Sequence, residues 1–335
     1  MEELKIPGFY NQKIIMLSRT AENLYWACRY IERAEMLARL IDVGYRIAIT
    51  KKTSKYNNEW DSILSSSGVK EDFLEKYSEI NQRNVEKYLC FDKNNMSSIV
   101  NCIIHTRENL RVIRTSITRE VWDVINSAFQ EIENFKPSNY RSSKLPNFLR
   151  WIIQRTSMLK GAIVSTQLTD DIYDFMNLGY YIERADNTIR ILDVKYYILL
   201  SKDNKNIENN YQWETLLRSI AAYIQYRRIY GVNVDPRKIC HFLIFNKSNP
   251  RSLLYCAENI NNHVNNLCKY YNQKSLAYSS TSKLLAKYSD VTIDEIFKTG
   301  THEFLLDYMK DIDSLNLSIS SSYFDGGYNA SKNYT

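Results

Sequence analysis

Apolar side chains between Ala27 and Ala48 recur in steps of four and three: Ala27, Ile31, Ala34, Ala38, Ile41, Tyr45 and Ala48. The same seam returns as Leu178, Ile182, Ala185, Ile189, Leu192, Tyr196 and Leu199, displaced by 151 residues. This spacing lays the apolar groups on one helical face and is incompatible with strand alternation. It predicts one long helix from Ser18 to about Ile49 and another from about Asp170 to Leu200. The stretch Tyr30–Tyr45 matches Tyr181–Tyr196 at nine of sixteen positions, so the pattern is an internal repeat and not merely two helices of similar composition. Alanines in the first seam leave room for a neighbouring helix to approach closely.

A second stripe lies one residue further along, about 100° around the helix. In the first copy it reads Cys28, Glu32, Glu35, Arg39, Asp42, Arg46; in the second, Gly179, Glu183, Asp186, Arg190, Asp193, Tyr197. Arg33 and Arg184 directly follow the two glutamates. The pairs Glu35–Arg39 and Asp186–Arg190 have i,i+4 spacing, but such pairs contribute only about 0.2–0.5 kcal/mol each on an exposed helix. Helix stabilisation alone is therefore a weak reason for the stripe to be present in both copies. Three readings stay open: salt bridges crossing between the repeat helices, a site for a small ligand or partner group, or a solvated face. Glu32 and Glu183 flank the apolar seams and are expected to be buried or half-buried, each against an arginine, because carboxylates at that depth need charged partners.

The rest of the chain carries the same helical period. Helices are expected at 58–66 and 71–81, over a long span from Ser97 to about Asn134, from Pro146 to Ser165, and from Gln212 to about Tyr230, where Gly231 ends the helix. Asp235-Pro236 and Asn249-Pro250 each set a capping side chain before a proline, predicting helices over 236–244 and 250–271. A last helix is expected from Asp294 to Leu317. No segment alternates like a strand. The fold class is all-α, a helical bundle of about eight to ten helices with an internal duplication. The expected organisation is a lead-in over 1–17, one domain over 18–320 with related halves of about 18–168 and 169–320, and a flexible tail over 321–335. Polar linkers are expected at KKTSKYNN (51–58) and SKDNKNIENN (201–210), and a loop around Pro137.

Composition narrows the function classes. The 335-residue chain is 44% hydrophobic, with 9 glycines and 5 prolines, which suits packed helices. Its net charge of +6 comes without any lysine/arginine block, so nothing marks a nucleic-acid arm. No apolar run approaches the length that spans a bilayer, and the N-terminus lacks the apolar core of a signal peptide. The six cysteines show no C-x-x-C spacing, which suits free thiols in a reducing cytoplasm.

Motifs of known chemistry are missing. A di-metal bundle needs Glu-x-x-His on two helices; none of His105, His241, His263 or His302 follows a glutamate by three, so no metal is expected. No glycine-rich phosphate loop or nucleophile elbow occurs, so no cofactor is expected either. Arg107, Arg111 and Arg114 form a stripe beside Glu108, readable as a solvated face or as an anion- or partner-binding one. Arg251, expected in the first turn of its helix, would oppose the helix dipole there and so calls for an anionic neighbour.

Ser18-Arg19-Thr20-Ala21-Glu22-Asn23-Leu24-Tyr25-Trp26 and the paired Tyr-Ile-Glu-Arg-Ala runs at Tyr30 and Tyr181 resemble the alpha-E family, a bacterial all-helical family of uncharacterised function. Ile191-Leu192-Asp193-Val194, Arg107-Glu108-Asn109, Trp122 and Asn249-Pro250-Arg251-Ser252 extend the resemblance over about Met16 to Leu317. The first copy has Trp26 where the second has Asn177, so the halves are not strictly equivalent. The resemblance implies association with circularly permuted ATP-grasp ligases and transglutaminase-like proteases, in a system forming amide or peptide bonds. It implies no catalytic residue. On this basis the chain is expected to be an auxiliary, non-catalytic partner of such a ligase. The alternative is an enzyme acting on a peptide or amino-acid-like substrate, with Glu32 or Glu183 as general base and Arg33, Arg184 or Arg251 holding a carboxylate.

Overall fold

The computed structural model describes residues 16–50, 57–135, 142–200 and 207–325. The expected lead-in before Met16, most of the linker at 51–58, the loop around Pro137, residues 201–206 of the linker expected at 201–210 and the end of the tail beyond Asp325 lie outside the described residues; the rest of that linker, 207–210, is helical. Fifteen α-helices and no strand occur among them: α1 (Ser18–Thr50), α2 (Asn57–Ser66), α3 (Lys70–Lys76), α4 (Gln82–Phe91), α5 (Ile99–Val112), α6 (Arg119–Glu131), α7 (Leu145–Thr166), α8 (Asp171–Leu200), α9 (Ile207–Ser219), α10 (Tyr223–Tyr230), α11 (Pro236–Ile244), α12 (Leu253–Tyr271), α13 (Leu276–Ser289), α14 (Ile293–Thr299) and α15 (Thr301–Tyr323). No described helix is long and apolar enough to cross a membrane.

The all-α class holds, but there are more helices than the sequence pattern suggests, because three expected long helices are interrupted. The span 97–134 breaks after Val112. Ile113 leaves helical geometry (φ −110°, ψ 28°), and Thr118 restarts the chain by accepting a hydrogen bond from the Val121 amide. The span 212–230 breaks at Ala221, in the left-handed region with φ 56°. The span 294–317 breaks at Gly300, whose φ of 110° favours glycine. In each case the apolar period continues past the break, so periodicity alone hides it. Helices α4 and α13 fill stretches with no expected element. The C-terminal helix also runs further than expected: Tyr323 is buried between Phe175 and Tyr271, and the Ser322 hydroxyl accepts from the Ala277 amide.

Helices α1 and α8 form the centre. Contacts between them join residues at nearly constant separation: Arg33 to Glu183 (150 residues apart), Glu32 to Arg184 (152) and Arg29 to Glu183 (154). Tyr25 lies against Gly179 and Arg29 against Glu183, an advance of four residues along both helices, so the two run side by side in the same direction. Their seams are buried from Ala27 to Ile41 and from Leu178 to Leu192. At Gly179 a β-carbon would overlap the Tyr25 carbonyl, so the missing side chain permits this close approach.

The surroundings are matched. Helices α5 and α7 pack on α1 as α12 and α15 pack on α8, and α2 lies on α8 as α9 lies on α1. The loops before α5 and α12 are matched in detail. Asn95 donates to the Tyr88 carbonyl and accepts from the Ser97 amide, while Asn249 donates to the Phe242 carbonyl and accepts from the Arg251 amide. Ser98 and Ser252 then cap α5 and α12. Arg251 therefore sits in the turn before α12, not in its first helical turn. Asn249 shapes that turn, and Ser252 is the cap.

Candidate functional site

Glu32 and Glu183 sit where the charged stripe meets the seam, and their side chains are 0% and 1% exposed. Each reaches across to the other central helix. Glu32 accepts from Arg184 through Nε (3.1 Å) and Nη2 (3.4 Å), and Glu183 accepts from Arg33 through Nε (2.6 Å) and Nη2 (3.0 Å). These are crossed, two-pronged carboxylate–guanidinium pairs, the strong form of the interaction.

Two charge clusters grow from this cross. In the first, Lys160 of α7 donates to Glu32 at 2.5 Å and also to Glu35. Arg251 bridges the same two carboxylates, Nη1 to Glu32 at 2.7 Å and Nη2 to Glu35 at 3.2 Å. Arg39 holds Glu35 from the outside at 2.8 Å, and Thr156 donates to it from α7. Arg184 also stacks over the Tyr180 ring and donates to the Pro250 carbonyl. Thr188 of α8 donates to the Arg251 carbonyl, pinning the turn.

In the second cluster Arg29 gives Glu183 a further donor at 2.8 Å, and Tyr25 and Asn316 accept from Arg29 in turn. Arg33 Nη1 donates to the Ser97 hydroxyl at 3.2 Å. Arg190 holds Asp186 at 2.9 Å.

The remaining sequence-predicted positions do not join these clusters. Asp42 pairs with Arg46 in the more exposed part of α1. Asp193 contacts the His302 ring nitrogen at 2.6 Å. Arg107 and Arg111 both pair with Glu108, and Arg107 and Arg114 cover the Trp122 ring. Among the described residues no group of three or more histidine, cysteine or acidic side chains is arranged to hold a metal ion.

The electrostatics follow from burial and pairing. Burial alone would raise the Glu183 carboxyl, but Arg33 and Arg29 outweigh it and pull it down to about 2. Glu32 also ends below its ordinary value, because Arg184, Lys160 and Arg251 together overcome its desolvation. Glu35 is lowered in the same way, chiefly by Lys160 and Arg251. Lys160 ends below its ordinary value: burial is the largest cause, and Arg184 and Arg251 add to it against the raising effect of Glu32 and Glu35. Both glutamates are therefore anionic near neutral pH and surrounded by donors, which makes them poor proton acceptors.

Arg29, Lys160 and Ser97 were not singled out by the sequence pattern. Arg29 had a signal, lying four residues before Arg33 on the same helical face, but its counterpart in the repeat is Tyr180, so comparing copies conceals it. Lys160 had none: a single lysine on an amphipathic helix reads as a solvated residue.

The fold and its site define a class of all-helical proteins in which two parallel repeat helices exchange Glu-Arg pairs. The chain belongs to the Alpha-E family, described as a predicted alpha-helical domain with a conserved ER motif, whose model matches residues 16–324. In this chain the motif is Glu32-Arg33 and again Glu183-Arg184. No curated protein matches the chain, and no solved structure does.

Proposed function

We propose that this Alpha-E protein is an auxiliary, non-catalytic helical partner of an ATP-grasp ligase in a system that forms amide or peptide bonds and includes a transglutaminase-like protease. The observation that carries the non-catalytic part is the saturation of the paired motif: all four carboxylate oxygens of Glu32 and Glu183 accept from cations of the same chain. A general base must be free to take a proton near its working pH, and both carboxyls lie below their ordinary values. The motif acts as a clamp between the two central helices and holds the surface of the bundle in one shape. The ligase and protease as partners rest on the sequence resemblance to the family.

The test has two arms. Native protein is used as bait for an ATP-grasp ligase and a transglutaminase-like protease from the same source, and direct binding of the purified ligase is expected. The purified chain alone is then incubated with ATP and amino acids, where no condensation is expected. ATP-dependent condensation by the chain alone would sink the non-catalytic reading; failure to bind such a ligase would sink the partnership.

A further inference from the structure

The two charge clusters are built from matching quartets. Glu32, Arg184, Glu35 and Arg39 in the first correspond to Glu183, Arg33, Asp186 and Arg190 in the second. Lys160 adds a cation to the first as Arg29 does to the second. One difference remains. In the first cluster the guanidinium of Arg251 lies between the two carboxylates. The matching position of the turn before α5 is Ser97, whose side chain ends at a hydroxyl.

A cavity of about 170 Å³ occupies that place, lined by Ser97, Glu183 and Asp186 together with Arg33 and Arg190. Its polar wall is unfinished. Asp186 Oδ2 accepts from Arg190, while Oδ1 has no hydrogen bond among the described residues. The Ser66 hydroxyl, on a residue only 3% exposed, and the Asn187 side-chain amide nitrogen are buried without a partner. Both residues line this cavity. Buried polar groups are nearly always satisfied, so two orphans on residues that line one cavity point to an occupant. The lining also includes the apolar side chains of Met36, Leu37, Leu40 and Leu89.

We infer that this cavity is a binding site for a small organic cation, a guanidinium head on a short aliphatic stem. The head takes the place that Arg251 fills in the other half and donates to Asp186 Oδ1, to the Ser66 hydroxyl and to the Asn187 amide, whose half-turn presents its oxygen. The stem lies along the lining leucines, as the aliphatic part of an arginine does. The flanking arginines do not forbid this. The first cluster accommodates a guanidinium among the same four charged groups, with Lys160 also present. The size suits a head and a short stem, since a cavity of roughly 150 Å³ takes a benzene-sized molecule. The side chains of Arg33 and Arg190 are 24% and 32% exposed, so the site is reachable from solvent. The inference goes beyond the scaffold reading and does not depend on it.

Isothermal titration calorimetry of the intact chain with ethylguanidinium, ethylammonium and acetate tests it. Saturable binding of ethylguanidinium at millimolar concentration or tighter is expected, with ethylammonium weaker and acetate silent. Ser97→Arg supplies the head covalently and should abolish binding while leaving the melting temperature unchanged or higher. Asp186→Asn should weaken binding by about 10- to 100-fold, the effect of losing hydrogen bonds to a charged partner. If Ser97→Arg does not fold, Asp186→Asn decides. No saturable ethylguanidinium binding, binding unaltered in Asp186→Asn, or acetate binding in its stead would overturn the assignment.

Discussion

Replacing Glu32 with alanine removes one of the two shared carboxylates of the first cluster, the one that reaches across to α8. Lys160, Arg184 and Arg251 all donate to it, and it is fully buried. Lys160 and Arg251 retain Glu35. Arg184, 8% exposed in its side chain, keeps only the Pro250 carbonyl and the Tyr180 ring. The variant thus strands one buried guanidinium and leaves Glu35 as the one carboxylate for Lys160, Arg251 and Arg39. Breaking a buried pair in this way costs about 3–5 kcal/mol, a large share of the roughly 5–15 kcal/mol that stabilises a typical domain. With a urea m-value near 3 kcal/mol/M, the upper end for small proteins, the unfolding midpoint should fall by about 1–1.7 M. Urea titration followed by far-ultraviolet circular dichroism measures the shift. Glu32→Gln, which keeps the shape and loses the charge, should lose most of the same amount. Converting Glu32 and Arg184 together to methionine should cost much less than the two single changes added, because the stranded guanidinium is then gone. Midpoints within about 0.2 M of wild type for both Glu32→Ala and Glu32→Gln would refute the reasoning and place the cluster among ion pairs with negligible net effect.

Acid should loosen the protein through the same groups. Glu183 has a folded value of about 2 against an ordinary 4.5, so its contribution is fully present above about 4.5 and is lost as pH falls toward 2; Glu183→Gln should flatten that part of a stability-versus-pH curve. Gly179→Ala should cost about 1–3 kcal/mol by forcing α8 away from the Tyr25 carbonyl, read as a lower thermal midpoint, and an unchanged midpoint would contradict the close approach. Burial pushes the thiols of Cys28, Cys102 and Cys256 up to about 12, so a thiol reagent at neutral pH should label the half-buried Cys268 first and the others only on unfolding. Rapid labelling of all six in the native protein would count against the packed core.

The amino-acid pattern by itself determined the all-α class, the two central helices and the neighbourhood of Glu32 and Glu183, because these follow from a local period and from a repeat 151 residues apart. An apolar seam must be buried, and a charge one step around the helix is carried to the edge of that burial with it. The same period could not show the breaks at Ile113, Ala221 and Gly300, where backbone geometry changes while the hydrophobic spacing continues. Nor could it show which cations complete the clusters. Lys160 and Arg251 meet Glu32 from 128 and 219 residues away, and only the packing of α7 and the turn before α12 against α1 and α8 brings them there. The cavity beside Ser97 belongs wholly to the tertiary structure. A serine in one turn and an arginine in its counterpart are unremarkable as letters. Their difference becomes a cavity in one half and a bridging guanidinium in the other only because two matched carboxylate pairs are folded against them.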